Sequence, residues 1–193
     1  ALKLRDGDEL INVLRTSGED EVIIGTHLGY SVRFKGAVVR DMGRAAAGVK
    51  GVNLREGDYV VGTSRIDDSQ EVLVISENGL GKRTQASEYP TKGRGGKGMK
   101  VMNVTERTGK LAGLTAVNGD EDLMVITDTG VIIRTNVANI SQTGRAAQGV
   151  KVMRLDDEAQ IVTFALVDPV IEDEEVDAPE LTDETISTDN NEE

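Results

Sequence analysis

The chain has 193 residues, with 34 Asp and Glu against 22 Lys and Arg, a formal net charge of -12 and no cysteine. The lack of cysteine excludes disulfides, thiolate metal sites and cysteine nucleophiles, and it fits a reducing cytoplasm. No apolar run is long enough to cross a bilayer, and the first residues lack the apolar segment of a signal peptide. We therefore expect no membrane contact, and a segment taken from a longer protein.

The acidic charge is concentrated at the C-terminal end. Residues 155–193 contain 15 acidic residues and no Lys or Arg, which leaves 19 acidic and 22 basic residues in 1–154. The net charge therefore does not exclude nucleic acid as a partner. From about Pro169 the composition is acidic and free of aromatic residues, which predicts a disordered tail over 169–193. This tail either competes with DNA for the basic body at low salt or only keeps the protein soluble.

The body of the chain, residues 1–168, is an internal repeat. The Gly-Arg pairs that begin at Gly43, Gly93 and Gly144 are spaced by 50 and 51 residues. The repeat predicts units at about 21–70, 71–121 and 122–168, with 1–20 as the end of a preceding unit.

Each unit is predicted to consist of short strands. An apolar run such as 22–24 reaches a glycine turn and returns through an alternating segment such as 30–34, as in a hairpin with one buried face. A further strand is expected after each Gly-Arg pair, at Met99 to Val104 in the middle unit. The last strands are expected at Leu10 to Arg15, Tyr59 to Ser64, Leu111 to Val117 and Gln160 to Val167. The chain is thus predicted to be all-β, a propeller-like array of four-stranded blades of about 50 residues, because a single blade cannot bury both faces alone.

The stretch 92–100 contains four cations and four glycines in nine residues. Glycine allows a ligand to approach the backbone closely, and the cations suit a phosphodiester backbone. Gly93, Gly95 and Gly98 also match a dinucleotide-binding pattern, but the sequence after them alternates like a strand, where that motif requires a helix. A P-loop is disfavoured because Gly98 occupies the position of its Ser or Thr.

Cations recur at equivalent positions of the three units and would form a curved positive track that contacts phosphates without reading bases. Bending stiff duplex DNA along such a track costs about 1–6 kcal/mol per site, so several blades must share the contacts. The alternative is that these residues are ordinary turn glycines and solvated cations. The candidate DNA-binding residues are Arg33, Arg44, Lys50, Lys82, Arg83, Lys92, Arg94, Lys97, Lys100, Arg134, Arg145 and Lys151.

No nucleophile, base and orienting group can be assembled from the sequence, so the chain is predicted to be non-catalytic. His27 lies in a predicted turn and is expected to be an exposed surface residue. The acidic pairs at 67–68 and 156–157 supply too few oxygen ligands for a metal ion.

The repeat and its motifs resemble the C-terminal domain of DNA gyrase A. The resemblance rests on Glu77–Thr84, Glu88–Lys92, the box-like loop Lys92–Gly98, Asp122–Thr127, Gly144–Val150 and the acidic end. It implies a β-pinwheel, a disc of six blades with DNA wrapped around its basic rim, of which this chain would supply about half. It also implies a bacterial, cytoplasmic and nucleoid-associated protein that works with the remainder of gyrase A and with gyrase B.

The match to the hallmark box of that family is incomplete. The box reads Gln-Arg-Arg-Gly-Gly-Lys-Gly and lies on the first blade, whereas the loop here keeps only its last five positions, with Lys92 and Gly93 before them. The resemblance implies DNA wrapping in support of ATP-dependent negative supercoiling by a type IIA topoisomerase. ATP, Mg and the catalytic residues would belong to the rest of the holoenzyme. The alternatives are the C-terminal DNA-binding domain of topoisomerase IV and a propeller-like scaffold that binds proteins.

Overall fold

The computed structural model describes residues 4–156 and 158–169, which form three antiparallel sheets. The all-β prediction is therefore confirmed. The strands are β1 (Glu21–Thr26), β2 (Tyr30–Lys35), β3 (Val60–Ile66), β4 (Glu71–Ser76), β5 (Leu80–Gln85), β6 (Met99–Lys100), β7 (Leu111–Val117), β8 (Asp122–Thr127), β9 (Ile132–Asn136), β10 (Val150–Lys151) and β11 (Ile161–Val167). Short 3-10 helices follow β2, β5 and β9, at Gly36–Val38, Ala86–Glu88 and Val137–Asn139.

A hairpin forms the centre of each sheet, as the alternating pattern predicts. The hairpins are β1–β2, β4–β5 and β8–β9, and each turn contains a glycine with positive φ: Gly29 at 83°, Gly79 at 80° and Gly130 at 82°. Glycine is favoured there because other residues are strained in the left-handed region. The last strand of each unit (β3, β7 or β11) then pairs antiparallel with the first strand of its own hairpin.

The fourth strand of a sheet comes from the following unit. The short strand β6 pairs with β2 of the preceding unit, with Met99 opposite Ser31, and β10 pairs with β5. The predicted strand at 99–104 is therefore shorter than expected, and it belongs to the neighbouring blade. The third sheet has three strands, β11, β8 and β9, among the described residues. We refer to this arrangement as the strand exchange.

The strand predicted at Leu10 to Arg15 is wrong. This segment has no regular secondary structure and is largely exposed, with Val13 at 78%. Its counterparts β3, β7 and β11 each pair with a hairpin that precedes them. The nine residues before Leu10 are too few to form such a hairpin, so the segment has no sheet to join.

The core lies between successive sheets. One cluster includes Val72, Val74 and Leu111 and faces the first sheet, and a second includes Leu73, Ile75 and Val125 and faces the third. Because side chains alternate between the two faces of a strand, β4 contributes to both clusters and all six of its residues are buried. The middle sheet is therefore covered on both faces.

Two sequence predictions fall wholly or partly outside the described residues. The tail predicted to be disordered, 169–193, lies beyond them apart from Pro169, and so does its proposed competition with DNA. In the described part of the chain, no helix has the length and apolarity that a membrane span requires. The same part contains no group of three or more His, Cys, Asp or Glu side chains placed to bind a metal ion.

Candidate nucleic-acid interface

The strand exchange brings the Gly-Arg segments of successive units into contact. We call residues 43–50, 93–100 and 144–151 the Gly-Arg loops. The Arg94 guanidinium donates from Nη1 to the Lys50 carbonyl at 3.2 Å and from Nε to the Val38 carbonyl at 3.2 Å. One unit further along, Arg145 Nη1 donates to the Lys100 carbonyl at 3.1 Å. The three loops are therefore linked in series, each arginine bonded to the backbone at the last lysine of the preceding loop.

Backbone hydrogen bonds reinforce the link between the first two loops. The Gly95 amide donates to the Gly51 carbonyl at 2.6 Å, and the Asn53 amide donates to the Gly96 carbonyl at 2.8 Å. These bonds hold the box-like loop Lys92–Gly98 against the preceding unit. Its cations therefore lie beside those of the first loop.

Most of the candidate cations in this region are exposed to solvent. Those of the Gly-Arg loops are joined by Lys92, and only the side chain of Arg145 is partly covered. An exposed cation keeps its hydration and can exchange it for a phosphate oxygen. The exposed candidates are Arg44, Lys50, Lys92, Arg94, Lys97, Lys100 and Lys151.

The arginines near the start of each unit have a different role. Arg33 is 6% exposed, and its guanidinium contacts the carboxylates of Glu21 at 2.6 Å and Asp68 at 2.8 Å. It also donates to the Ala86 carbonyl, which belongs to the next unit. Such a buried, paired guanidinium is not free to bind a phosphate, so the expectation for Arg33 is corrected: it fastens the first blade to the second.

Arg83 repeats this arrangement at the second junction. Its Nη1 donates to Glu71 Oε2 at 2.7 Å, and its Nε donates to the Ile140 carbonyl of the next unit at 2.7 Å. Arg134, the third equivalent, pairs with Asp122 at 2.8 Å but keeps 41% of its side chain exposed. Arg83 is therefore also structural, whereas Arg134 remains partly accessible.

Lys82 lies inside the fold, with no exposed surface, so its assignment to a DNA surface is corrected as well. Its Nζ donates to the carbonyls of Gly144 at 2.8 Å and Arg145 at 2.5 Å. Burial lowers the pKa of this amine to about 8. Lys82 thus supports the third Gly-Arg loop from below, and its counterparts Val32 and Ile133 cannot do so because they carry no donor.

The glycines of the loops serve packing as well as access. A Cβ at Gly98 would lie 2.6 Å from the Ser31 carbonyl oxygen, and a Cβ at Gly149 would lie 2.3 Å from that of Gly81. Both glycines therefore allow the strand exchange to form. Gly93 and Gly96 meet no atom closer than 3.9 Å and leave the backbone open on the outer side of the box-like loop.

The dinucleotide-binding interpretation of these glycines is excluded by the element that follows them. Residues 99–100 form strand β6, whereas that motif requires a helix.

Two residues at this surface were not found from the sequence. Arg55 donates from Nη1 to the Lys97 carbonyl at 2.7 Å, and its guanidinium carbon lies 3.3 Å from the centroid of the Tyr30 ring. It therefore fixes the far end of the box-like loop. Arg107 is exposed beside the third loop, where it contacts Gln148 Oε1 at 3.5 Å. Neither residue recurs with the repeat, which is the signal that identified the other cations.

His27 is not the exposed residue that its turn position suggests. It is 6% exposed, stacks on Tyr59 with ring centroids 4.3 Å apart, and places Nδ1 at 3.0 Å from the Leu111 carbonyl. Its Nε2 lies 3.5 Å from Glu77 Oε1, and Glu77 is the equivalent residue of the next unit. His27 therefore belongs to the junction between the first and second blades.

Exchanged strands and serially linked basic loops define this chain as a propeller-like repeat domain with a cationic loop surface. The model of the DNA gyrase C-terminal domain family, a β-propeller, matches residues 1–17, 20–67, 70–118 and 121–168. The chain therefore belongs to the DNA gyrase C-terminal domain family, and the predicted resemblance is confirmed.

Curated relatives carry the name of the gyrase A protein. That of Streptococcus pyogenes serotype M3 is 73% identical over 169 residues, which are 88% of this chain and 20% of that protein. That of Streptococcus pneumoniae serotype 4 is 68% identical over 91% of this chain and 21% of its own length. That of Halalkalibacterium halodurans is 61% identical over 95% of this chain and 22% of its own length. The chain thus spans about a fifth of the length of these relatives.

Solved structures show the same architecture. A DNA gyrase A C-terminal domain matches with a TM-score of 0.74 and 26% identity, over 86% of this chain and 56% of that one. A C-terminal domain of DNA topoisomerase IV matches with a TM-score of 0.79 over 86% of this chain and 52% of that one. At 24% identity, the second likeness shows a shared fold only.

Proposed function

We propose that this chain binds double-stranded DNA with little sequence preference, through the exposed cations of the Gly-Arg loops, as part of a DNA gyrase A protein. The observation that carries the proposal is the serial linkage of these loops by Arg94 and Arg145. A single loop offers few contacts, but linked loops present cations over the length that a duplex needs. Contacts to phosphate give affinity without base readout.

The proposal includes bending of the bound duplex. The linked loops belong to successive units of one repeat, so DNA that follows them contacts one unit after another. Bending 20–30 base pairs by 40–90° costs on the order of 1–6 kcal/mol, which several phosphate contacts offset. Within a complete gyrase, this bent segment would support wrapping and ATP-dependent negative supercoiling together with gyrase B in the bacterial cytoplasm. ATP and Mg would be used by the remainder of that assembly.

The three structural cations are left out of the proposed contact set. Arg33, Lys82 and Arg83 are bonded within the blade junctions. The proposed contacts are made by Arg44, Lys50, Lys92, Arg94, Lys97, Lys100, Arg145 and Lys151, with Arg134 at the open end of the array.

The test is a salt series of binding to random-sequence linear duplex, with wild type and Lys92→Ala/Lys97→Ala compared. These two side chains are exposed on the box-like loop, so their removal should not disturb the blade junctions. The slope of log K against log salt should become shallower by about 0.9 for each lost contact, or roughly 1.8 for two. The matched control is Arg15→Ala/Lys110→Ala, which removes two exposed cations outside the Gly-Arg loops.

The proposal fails if the control flattens the slope as much as the loop variant, because the binding would then reflect net charge alone. Absent binding by the wild type would favour the protein-binding scaffold. Bending is measured separately, by energy transfer between dyes at the two ends of the duplex. It should increase with duplex length until all three loops are engaged.

A further inference from the structure

The two blade junctions inside the chain are built in the same way. At the first, Met99 and Lys100 lie opposite Ser31 and Tyr30, and the Val101 amide donates to the Gly29 carbonyl at 2.9 Å. At the second, β10 pairs with β5 in the equivalent register, and the Val152 amide donates to the Gly79 carbonyl at 2.8 Å. Each junction therefore joins an incoming strand from one unit to the outer hairpin edge of the unit before it.

The two halves of a third such junction are present at opposite ends of the array. In the described part of the chain, the incoming segment Gly48–Lys50 pairs with no hairpin, and the outer edge of β9 receives no strand. A Cβ at Gly48 or at Gly130 would meet no atom within 4 Å, whereas their counterparts Gly149 and Gly79 are in close contact.

Apolar exposure follows the same division. Val131, next to β9, is 45% exposed, whereas its equivalent Leu80 is 4% exposed beneath β10. At the other end, Val39 is 37% exposed, whereas its equivalents Tyr89 and Ile140 are 1% and 2% exposed. Side chains that are buried at both internal junctions are thus left open at the two ends. Exposed apolar surface next to an unpaired strand edge favours association.

The arginine of the hairpin points to the same missing neighbour. The side chains of Arg33, Arg83 and Arg134 are 5%, 16% and 41% exposed, respectively. Arg33 and Arg83 both donate to a carbonyl of the following unit, that of Tyr89 or Ile140. Val39 holds the equivalent position in the first unit, so its carbonyl is the acceptor that a third junction would offer to Arg134.

We propose that this chain associates head to tail with a second copy of itself, by adding Gly48–Lys50 of one copy as an antiparallel strand to β9 of the other. The internal junctions fix the register: Val49 lies opposite Ile132, Lys50 lies opposite Val131, and the Gly51 amide donates to the Gly130 carbonyl. Because the contact joins two different surfaces, it leaves a free end on each copy, and the assembly closes into a ring or continues as a chain of copies.

A second copy fits these ends better than an unrelated strand does, because each end already has the sequence and shape that its counterpart accepts elsewhere in the chain. An edge-to-edge pairing of β9 with β9 would cover Val131 but would leave Val39 and Gly48 unused. The head-to-tail contact covers both ends at once.

The experiment measures the mass of the full 193-residue chain, without DNA, by sedimentation velocity over a wide range of protein concentration. The wild type should show masses above the monomer that increase with concentration. Gly48→Asn should remain monomeric, because a side chain there would meet the β9 backbone as closely as one at Gly149 would meet that of Gly81. Asn tolerates the φ of +81° at this position, so the monomer should remain folded.

Val131→Glu should also remain monomeric, because it would bury a carboxylate at the other half of the interface. Mixing the two variants restores one intact donor end and one intact acceptor end, so a dimer should form. The matched control is Gly57→Asn, at φ +70° with no atom within 4 Å and outside both ends, which should associate as the wild type does.

Three results would overturn the proposal: a wild type that is monomeric at every concentration, association that Gly48→Asn leaves intact, or variants that fail to complement each other on mixing. None of these readouts depends on DNA. Failure of the proposed DNA binding is therefore distinguishable from failure of the self-association.

Discussion

Arg83 and Glu71 lie on neighbouring strands, with the guanidinium Nη1 at 2.7 Å from the carboxylate Oε2. They are diagonal neighbours on one face of the middle sheet, since Arg83 is directly opposite Leu73. Arg33 with Glu21 and Arg134 with Asp122 repeat the pairing. The three pairs have the same geometry but different exposure, which allows the effect of burial to be isolated.

Arg83→Ala should lower the free energy of unfolding by about 3–5 kcal/mol, because it leaves the buried Glu71 carboxylate unpaired. Arg134→Ala, at the equivalent and more exposed position, should cost only about 0–1 kcal/mol. Urea unfolding of both variants provides the measurement. Equal losses in the two would show that burial does not determine the strength of this pair.

The stability of the chain should increase with pH in the range where Lys82 loses its proton. The pKa of Lys82 is about 8 in the folded protein, below its ordinary value of 10.5. Between these values the unfolded chain binds more protons than the folded one, so deprotonation relieves the cost of a buried charge. Lys82→Met should remove this increase, whereas Lys110→Met, at an exposed lysine, should retain it. Urea midpoints across the interval test the prediction, and identical pH profiles for the two variants would contradict it.

Gly149→Ala should destabilise the chain more than Gly48→Ala, although both glycines have similar φ values of 83° and 81°. Each substitution should cost about 1–2 kcal/mol because of the left-handed backbone. Gly149→Ala should cost roughly 1–3 kcal/mol more because its Cβ would meet the Gly81 carbonyl. Thermal unfolding at a concentration where the protein is monomeric compares the two. A similar loss in both would mean that the second junction adjusts to the extra methyl group.

Arg55→Gln should loosen the box-like loop, because it removes both the bond to the Lys97 carbonyl and the contact with the Tyr30 ring. We expect faster amide hydrogen exchange over residues 92–98 and DNA affinity lower by roughly three- to tenfold, a loss of about 1 kcal/mol that matches one cation–π contact. Arg55→Lys keeps the charge but not the planar group. If Arg55→Lys binds DNA and exchanges amide hydrogens as the wild type does, the charge of Arg55 matters and its positioning of the loop does not.

The sequence predicts the hairpins well because each one is local. An apolar run, a turn with Gly29 or Gly79 and an alternating return strand lie within about 15 residues, so periodicity alone identifies them. It does not predict the strand exchange, because the period of 50 residues is the same whether Met99 pairs within its own unit or with the preceding one. Only the packing of Gly98 against Ser31 distinguishes the two.

The candidate site was predicted in part, because repetition identifies position but not exposure. Arg94 and Arg33 recur equally well in the sequence, yet one lies at the surface and the other is buried. A signal for the buried class was available: each of Arg33, Arg83 and Arg134 follows an acidic residue by 12 positions, at Glu21, Glu71 and Asp122. A cation that recurs together with a carboxylate indicates an internal ion pair. His27 offered no such signal, because its partner Glu77 occupies the same position of the next unit.

The strand exchange also makes the order of the polypeptide differ from the order of the sheets. Between β5 and β6 the backbone leaves the second sheet, runs through the exposed loop 90–98 and enters the first sheet before it returns as β7. A protease that cuts in this loop would separate the chain into two pieces at a point where they remain interlocked, since β6 stays paired with β2 and β7 with β4. The nicked protein should therefore elute as one folded species and separate only in denaturant, so that its resistance to dissociation comes from topology as well as from the covalent chain.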